Sequence, residues 1–375
     1  MKIVVAMDSF KGSLSAVRAC DIVAKAIRSV LPQAEVVTKP MADGGEGTAV
    51  ALMAAAGGRW IDKSVMGPLH QMEVQAGFVW FEDSAKAVVE MAAANGLQLL
   101  RPEQRNPLQT TTYGTGQLIS AAIDYGARRI LLAVGGSATV DGGVGAAMAL
   151  GWKFLAKDRQ EIGFGGGELL RIDKIVPPCV GRASVTVEVL CDVNNPLCGP
   201  QGAARVYGPQ KGATPQMADI LDAALSHLAD LVKDQLGCDV RYLPGGGAAG
   251  GLAAGAVAFM NARLVSGIDA VMSQSRLQEA MADADWVITG EGSFDEQSLR
   301  GKVVWGVSRV AIATNTRVGV LAGQVLLPVE KYRAAGVETA LACMDCRMQL
   351  EYAIANAENL LDGAARRFAR NCLNA

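Results

Sequence analysis

Short buried strands alternate with helices at both ends of this chain, and this alternation constrains its fold more than any other feature. Residues 2–7 and 35–38 are predicted strands, each followed by a predicted helix, and Ser13 is the expected cap of the first helix. The same rhythm returns at 286–289 and ends in one long helix predicted at 349–370. Because strand–helix–strand units build parallel sheets, we predict a doubly wound α/β domain made from both termini.

The middle of the chain lacks this rhythm. Residues 74–80 and 87–91 are predicted to be neighbouring antiparallel strands joined by a short turn. We therefore predict one discontinuous domain at 1–66 and 285–375, with a second, mixed α/β domain inserted at 67–284.

Composition excludes several classes of function. Net charge is −2, and no basic block appears, so nucleic-acid binding lacks electrostatic support. No apolar stretch approaches the roughly 18 residues of a membrane span, and Asp8 comes too early for a signal peptide. A cytoplasmic protein is the expectation. The chain has only 2 histidines, which argues against a histidine-based metal site. Cys343 and Cys346 have redox spacing, but no second pair accompanies them to suggest zinc.

Eight loops are rich in glycine or other small residues, seven of them also contain an Asp, Glu or Lys, and most come directly after a predicted strand. They contain Asp8 and Lys11, Asp43 and Glu46, Gly135–Gly143, Asp192, Lys211, Gly245–Gly247, Glu291 and Asp295, and Lys302. Glycine lets backbone N–H groups approach an anion closely, and carboxylates bind hard cations such as Mg²⁺. The pattern therefore predicts a site for a phosphorylated ligand with its metal.

Individual loops suggest individual roles. Lys11 is predicted to bind a phosphate or carboxylate, with Asp8 as metal ligand or as a partner of Lys11; the alternative is a helix cap. Asp192 ends a predicted buried strand and is our first candidate for a general base, against an Asx turn as the alternative. Lys211 is a candidate for neutralising phosphate charge, although a surface lysine at a turn has the same pattern.

The loop at 135–143 is predicted to cradle phosphate. It follows a strand and opens a helix, so its N–H groups can form an anion nest. Its candidate ligand-binding residues are Gly135, Gly136, Ser137, Thr139 and Asp141. Lys302, which opens another predicted helix, is a further candidate for phosphate.

Two other functions are compatible with parts of the sequence. Gly245-x-Gly247-x-x-Gly250, with Asp269 further on, matches a dinucleotide pattern and suggests a nicotinamide-dependent hydroxy-acid oxidoreductase. The match is weak because Pro244 interrupts the entry. A non-catalytic two-lobed hydroxy-acid sensor is the other alternative, although no output module is evident.

Ten motifs lie in order along nearly the whole chain. They are Asp8-Ser-Phe-Lys-Gly, Met41-Ala-Asp-Gly-Gly-Glu-Gly-Thr, Glu90-Met-Ala-Ala-Ala, Arg105-Asn-Pro-Leu, Thr112-Tyr-Gly-Thr-Gly, Gly135-Gly-Ser-Ala-Thr, Asp192-Val-Asn-Asn-Pro-Leu, Gly208-Pro-Gln-Lys-Gly-Ala-Thr, Gly246-Gly-Ala-Ala-Gly-Gly and Ile288-Thr-Gly-Glu-Gly. Together they resemble the bacterial type I glycerate kinase family. The sequence departs from it at Met7, where proline is usual, and at Ser293-Phe294, which replaces a basic–aliphatic pair.

The resemblance implies a flavodoxin-like domain carrying an inserted second α/β domain, and transfer of the ATP γ-phosphoryl group to glycerate with Mg²⁺. It implies that Lys11 or Arg105 binds the glycerate carboxylate, with Asn195 and Lys211 also at the substrate. Asp192 would accept the hydroxyl proton, with Asp8 or Asp141 as substitutes. The metal ligands would come from Asp43, Glu46, Glu291 and Asp295. The partners implied are ATP and glycerate, and the oligomeric state is left open, with a homodimer as one option.

Overall fold

The computed structural model of the protein describes residues 1–179, 185–345 and 347–373. The strands are β1 (Lys2–Met7), β2 (Glu35–Thr38), β3 (Arg59–Met66), β4 (Glu73–Phe81), β5 (Lys86–Glu90), β6 (Arg129–Ala133), β7 (Lys153–Leu155), β8 (Lys174–Val176), β9 (Thr186–Leu190), β10 (Arg263–Val265), β11 (Trp286–Gly290), β12 (Ser293–Phe294), β13 (Arg317–Ala322), β14 (Gln324–Val325) and β15 (Thr339–Ala342). The α-helices are α1 (Ala16–Val30), α2 (Thr48–Ala56), α3 (Met91–Asn95), α4 (Tyr113–Tyr125), α5 (Val144–Ala149), α6 (Ala203–Tyr207), α7 (Pro215–Leu236), α8 (Leu252–Met260), α9 (Gly267–Ser275), α10 (Leu277–Met281), α11 (Val303–Thr314), α12 (Val329–Ala334), α13 (Leu350–Ala355) and α14 (Ala357–Phe368).

The first compact unit, called unit 1 below, contains both ends of the chain: Met1–Asp43, Val50–Gly57 and Ser266–Ala375. Its five-stranded sheet has the order β15-β13-β11-β1-β2, and every neighbouring pair is parallel. Renumbered within the unit, this is the flavodoxin-like order, in which the direction of winding reverses between β1 and β11. Ligands of such sheets bind at that switch point, outside the carboxyl ends of the strands.

The carboxyl ends of β1 and β11 are held in register. Met7 lies opposite Gly290, and the next amide, that of Asp8, donates to the Gly290 carbonyl at 2.9 Å. A Cβ atom at Gly290 would lie only 1.7 Å from the Leu321 carbonyl oxygen, so this strand end tolerates glycine alone. The close fit places Asp8 and Glu291 side by side at the switch point.

Helix α1 begins at Ala16, and its N-cap is Ser15, whose hydroxyl accepts from the Arg18 amide at 3.2 Å. The prediction that Ser13 caps this helix was wrong. The backbone of Phe10 pairs with Leu14 in an isolated bridge, which keeps Ser13 in the preceding turn, where its hydroxyl donates to the Phe10 carbonyl.

The single long helix predicted at 349–370 is two helices, α13 and α14. Asn356 separates them with φ −114° and ψ 17°. Its side-chain amide donates to the Tyr352 carbonyl at 2.9 Å. Asparagine commonly competes with the helical ladder in this way.

The second compact unit, unit 2, contains Gly44–Ala49 and Gly58–Val265. Its six-stranded sheet has the order β10-β9-β6-β5-β4-β3. The strands β3, β4 and β5 are antiparallel, and β5, β6, β9 and β10 are parallel. A 3₁₀ segment, Ala248–Gly251, precedes α8, and within it Ala249 (φ 53°) and Gly250 (φ 66°) have left-handed backbone conformations.

The predicted fold class, a flavodoxin-like sheet with a mixed α/β unit inserted, is confirmed. The domain boundaries at 66/67 and 284/285 stay predictions. Among the described residues, no helix is long and apolar enough to cross a membrane. Cys346, the second cysteine of the redox-type spacing with Cys343, lies outside the described residues.

Candidate active site

Unit 1 contains a cavity of about 370 Å³ at the carboxyl ends of β1, β11, β13 and β15. Its charged lining residues come from four separate stretches of sequence: Asp8, Lys11, Asp43, Glu291, Asp295 and Lys302. Six of the residues predicted from the sequence to bind metal, phosphate or substrate therefore share one cavity at the switch point of a flavodoxin-like sheet.

Asp8 is buried beside this cavity and its charge is only partly compensated. Its Oδ1 accepts from the Ser9 amide at 2.6 Å. Burial, and then the negative charges of Asp43 and Glu291, raise the pKa of Asp8 to about 7, against the opposing effects of the Ser9 amide and Lys11. A carboxyl group with such a pKa can take and release a proton near neutral pH.

Glu291 carries an unsatisfied acceptor. Among the residues that the structure describes, its buried Oε1 has no hydrogen-bond partner, and its Oε2 lies 3.9 Å from the Lys302 Nζ. Burial raises the pKa of Glu291. The Ser298 hydrogen bond and the charge of Lys302 lower this pKa, and the charges of Asp295 and Asp43 raise it. A buried carboxylate oxygen without a donor carries an energetic penalty that a bound cation would remove.

Asp295 has a local structural task as well. Its Oδ1 accepts from the Gln297 amide at 2.8 Å, and its own amide donates to the Ser298 hydroxyl at 3.0 Å. This reciprocal cap fixes the 3₁₀ turn that leads to Lys302 at the N-cap of α11. One Asp295 oxygen is therefore engaged in the fold.

The acids of unit 1 suit a divalent cation that is shared with a phosphate ligand. Asp43 and Glu291 raise the pKa of Asp8, which shows a local excess of negative charge. Within the described ranges, no three His, Cys, Asp or Glu side chains form a group that holds a metal by itself. Mg²⁺ usually takes one or two protein carboxylates and fills its remaining positions with phosphate oxygens and water.

In unit 2 the predicted residue Asp141 is fully engaged by the fold. Its two carboxylate oxygens accept from a set of backbone and hydroxyl donors: the Thr112 amide (2.8 Å) and hydroxyl (2.9 Å), and the amides of Gly143 (3.1 Å) and Gly145 (3.3 Å). Burial raises its pKa and these donors lower it. The arrangement ties the loop at 135–143 to the start of α4.

Lys211 also holds this loop from within. It is only 2 % exposed, and its Nζ donates to the Ser137 hydroxyl and to the Thr139 carbonyl, both at 2.7 Å. Burial lowers the pKa of Lys211 to about 7, although Asp141 acts in the opposite direction. The alternative of a surface lysine at a turn was therefore wrong.

The amides of the loop at 135–143 are partly committed to the fold. Those of Gly135, Ala138 and Gly142 donate to backbone carbonyls at 3.0–3.3 Å. Gly250 packs against this loop so closely that its Cβ would lie 1.9 Å from the Thr139 carbonyl oxygen. The phosphate-cradle role of Gly135, Gly136, Ser137 and Thr139 stays a prediction.

The other predicted residues of unit 2 have different environments. Asp192 is exposed. The Asn195 side chain accepts from the Tyr207 hydroxyl at 2.7 Å and donates to the Gln201 carbonyl at 2.9 Å. The buried Nε of Arg105 has no hydrogen-bond partner within the described part of the chain, which makes it a donor suited to an anion. Glu46 is exposed.

Two features of the sites were missed in the sequence. Glu90, the last residue of β5, is a buried carboxylate that accepts from the amides of Gly47 (2.8 Å) and Ala49 (3.1 Å), whereas the sequence showed it only as part of a motif. The second feature is an apolar wall of the unit 1 cavity, formed in part by Leu350 and Ile354. Both residues fall within the single helix predicted at 349–370, for which no role in a site was predicted.

The dinucleotide alternative is not supported by local structure. Gly245 lies within the turn at 244–247, which no strand directly precedes, and Gly250 packs closely against Thr139. Asp269 lies on α9, where its carboxylate pairs with Arg309 at 3.3 Å. The pattern thus lacks the strand–turn–helix context that a dinucleotide site requires.

Comparison with known proteins decides the family. The model of the glycerate kinase family matches residues 3–373. This chain belongs to the glycerate kinase family. The glycerate kinase of Haemophilus influenzae is 47 % identical over 86 % of each chain, and that of Halalkalibacterium halodurans is 44 % identical over 98 % of this chain and 97 % of its own. The glycerate 2-kinase of Escherichia coli K12 is 42 % identical over 98 % and 97 %.

A solved structure agrees with this family. A Salmonella typhimurium LT2 protein provisionally named glycerate kinase 2 is 41 % identical and superposes with a TM-score of 0.87. The similarity covers 100 % of this chain and 98 % of the other. The resemblance inferred from the ten motifs is confirmed, and the kinase reading is favoured over the oxidoreductase and the sensor.

Proposed function

We propose that this protein transfers the γ-phosphoryl group of ATP to a hydroxyl group of glycerate, giving phosphoglycerate and ADP. The observation that carries the proposal is the cavity at the unit 1 switch point, where buried acids and two lysines meet in a chain of the glycerate kinase family. Phosphoryl transfer depends mainly on positioning and on neutralising charge, which these side chains supply.

The two lysines supply positive charge at different depths. Lys302 is half-buried and lies 3.9 Å from Glu291, so it is held near the acids. Lys11 is exposed, in the loop after β1. We assign Lys302 to the phosphates and Lys11 to the carboxylate of glycerate, because a small substrate must enter from the solvent side. Arg105 in unit 2, with its buried unsatisfied Nε, remains the other candidate for an anion.

Asp8 is the best-placed general base. It lines the cavity and is buried, whereas Asp192 is exposed and Asp141 is saturated by donors from the fold. In the reaction, Asp8 accepts the hydroxyl proton of glycerate. The hydroxyl oxygen then forms a bond to the γ-phosphorus, and the bond from that phosphorus to the bridging oxygen of ADP breaks.

Glu291 and Asp43 are the residues that would hold Mg²⁺. The unsatisfied Oε1 of Glu291 and the excess negative charge around Asp8 are what a cation would compensate. Mg²⁺, when bound, neutralises charge on the phosphate oxygens. We do not assign the other two predicted metal ligands to Mg²⁺. An oxygen of Asp295 caps the 3₁₀ turn, and Glu46 belongs to unit 2.

A coupled assay of ADP release tests the proposal. Purified protein with ATP, Mg²⁺ and D-glycerate should release ADP in proportion to glycerate, and phosphorus NMR should show one phosphate monoester product and identify the hydroxyl. ADP release that is independent of glycerate, or reduction of a nicotinamide cofactor by glycerate instead, would contradict it. Asp192→Asn is expected to retain turnover within a few-fold of wild type.

A further inference from the structure

One wall of the unit 1 cavity is apolar and open. Leu350, Ala353 and Ile354 of α13, with Ala357 and Leu360 of α14, recur every one to four residues and all line the cavity. Leu350 is 58 % exposed and Ile354 is 41 % exposed. An apolar stripe on a helix ordinarily packs against the core, so one that borders a cavity is suited to a ligand with apolar surface.

The wall lies on both sides of the break at Asn356. Helix α14 packs on α1, and Leu361 and Phe368 of α14 are buried in the core of unit 1. Helix α13 is left to cover the cavity with Leu350 and Ile354.

The lining also carries charged side chains. Four acids (Asp8, Asp43, Glu291 and Asp295) and two lysines (Lys11 and Lys302) line the same cavity, and its volume of about 370 Å³ is in the usual range for small-molecule sites. A ligand that satisfies both parts needs an apolar face at one end and, at the other, negative charges that the lysines and a cation held by the acids would compensate. Glycerate has no apolar face, whereas a nucleoside triphosphate has both features.

We propose that the α13–α14 wall, defined as Leu350, Ala353, Ile354, Ala357 and Leu360, is the base-binding part of the nucleotide site. The base lies against Leu350 and Ile354, and the phosphate chain extends toward Lys302 and the acids at the strand ends. This inference rests on the proposed kinase function and adds the location of the nucleotide within unit 1.

Binding of two related ligands separates the base from the phosphates. The variants are Ile354→Ser and the double variant Leu350→Ser with Ile354→Ser. These substitutions leave the net charge unchanged and alter exposed side chains. Calorimetric titration with Mg²⁺–ADP and with Mg²⁺–tripolyphosphate measures each affinity. We expect ADP to bind about tenfold more weakly in the single variant and up to about 100-fold in the double variant. Tripolyphosphate should bind as in wild type.

Ile312→Ser is the matched control. Ile312 is 68 % exposed on α11, also in unit 1, and does not line the cavity. Both ligands should bind this variant as they bind wild type. Melting curves of all variants should coincide, because none of the substitutions removes a buried side chain.

Three results would overturn the inference. One is ADP affinity within twofold of wild type in the double variant. Another is an equal loss of ADP and tripolyphosphate, which would indicate a general disturbance of the cavity. The third is loss of a dimer in sedimentation with unchanged ADP affinity, which would assign the wall to a second copy of the chain. Turnover of wild type with glycerate is measured separately. An inactive wild type would refute the kinase function, while the two titrations would still show whether the α13–α14 wall binds the base.

Discussion

Both units bury charged side chains in glycine-rich loops that follow strands, yet they use those charges in opposite ways. In unit 2, Asp141 accepts from Thr112, Gly143 and Gly145, and Lys211 donates to two oxygens of the loop at 135–143. In unit 1, Glu291 keeps a buried oxygen to which no described residue donates. The first arrangement stabilises a fold, and the second keeps charge available for a ligand.

The difference teaches that burial alone does not mark a functional carboxylate. Asp141 and Asp8 are both buried, and the pKa of each is raised by burial. They differ in their neighbours: donors surround Asp141, whereas two further acids act on Asp8. A carboxylate that the fold leaves repelled by its neighbours is a stronger functional candidate than one that the fold has satisfied.

The largest expected effect is on catalysis in unit 1. Asp8→Asn should lower kcat by about 10²–10⁴-fold, because it removes the proton acceptor. Steady-state assays measure this, with Asp21→Asn, an exposed acid on α1, as control. If Asp8→Asn turned over near the wild-type rate, Asp8 would not be the proton acceptor, and the functional role given to the acids of unit 1 would fail.

The same Asp8 variant has a predicted effect on stability. The pKa of Asp8 is about 7 in the fold and near 3.8 when unfolded, so between these values the native state binds more protons and stability falls as pH rises. Asp8→Asn removes this penalty. Chemical denaturation should therefore show it to be more stable than wild type at pH 8, by on the order of 2 kcal/mol, and close to wild type at pH 4.

In unit 2 the expected effect is on folding. Asp141→Ala should lower the free energy of unfolding by about 3–5 kcal/mol, because it leaves several buried donors of the 112–145 region unpaired. Urea denaturation measures the loss, and Asp234→Ala, an exposed acid on α7, should change stability by less than about 0.5 kcal/mol. Full stability in Asp141→Ala would show that this carboxylate is not an anchor.

Lys211→Met should cost about 2 kcal/mol, since it removes the donors to Ser137 and Thr139. The sign of its pH dependence follows from the lowered pKa. Between about pH 7 and the ordinary lysine value, the unfolded state binds more protons than the native state, so this lysine contributes more stability as pH rises. The wild-type advantage should be larger at pH 9 than at pH 7, and Lys174→Met should show no such trend. A difference in free energy of unfolding between wild type and Lys211→Met that is the same at pH 7 and pH 9 would contradict the lowered pKa of Lys211.

The sequence predicted the gathering of acids in unit 1 for a simple reason. Asp8 and Glu291 each follow a parallel strand, and the carboxyl ends of such strands share one edge of the sheet. The saturation of Asp141 was not predictable, because Thr112 lies some thirty residues away and its contact depends on how α4 packs. The apolar wall was hidden because one asparagine, Asn356, divides a pattern that otherwise suits a single helix.

The smallest expected effect refines the account of unit 1. Asp43→Asn removes one of the charges that raise the pKa of Asp8. The pKa of Asp8 should fall by about one pH unit or less, since burial is the larger cause. Carbon-13 NMR of the carboxyl group in the metal-free variant measures this shift. An unchanged value would remove Asp43 from the group of interacting acids.

The most direct test of the central claim is the same NMR titration of Asp8 in the wild-type protein, without and then with Mg²⁺–ADP. Uncompensated negative charge at the switch point predicts a pKa of about 7 without ligand and a clearly lower value once the cation and nucleotide are added. An ordinary aspartate value near 3.8 in the ligand-free protein, unaffected by Mg²⁺–ADP, would contradict the account.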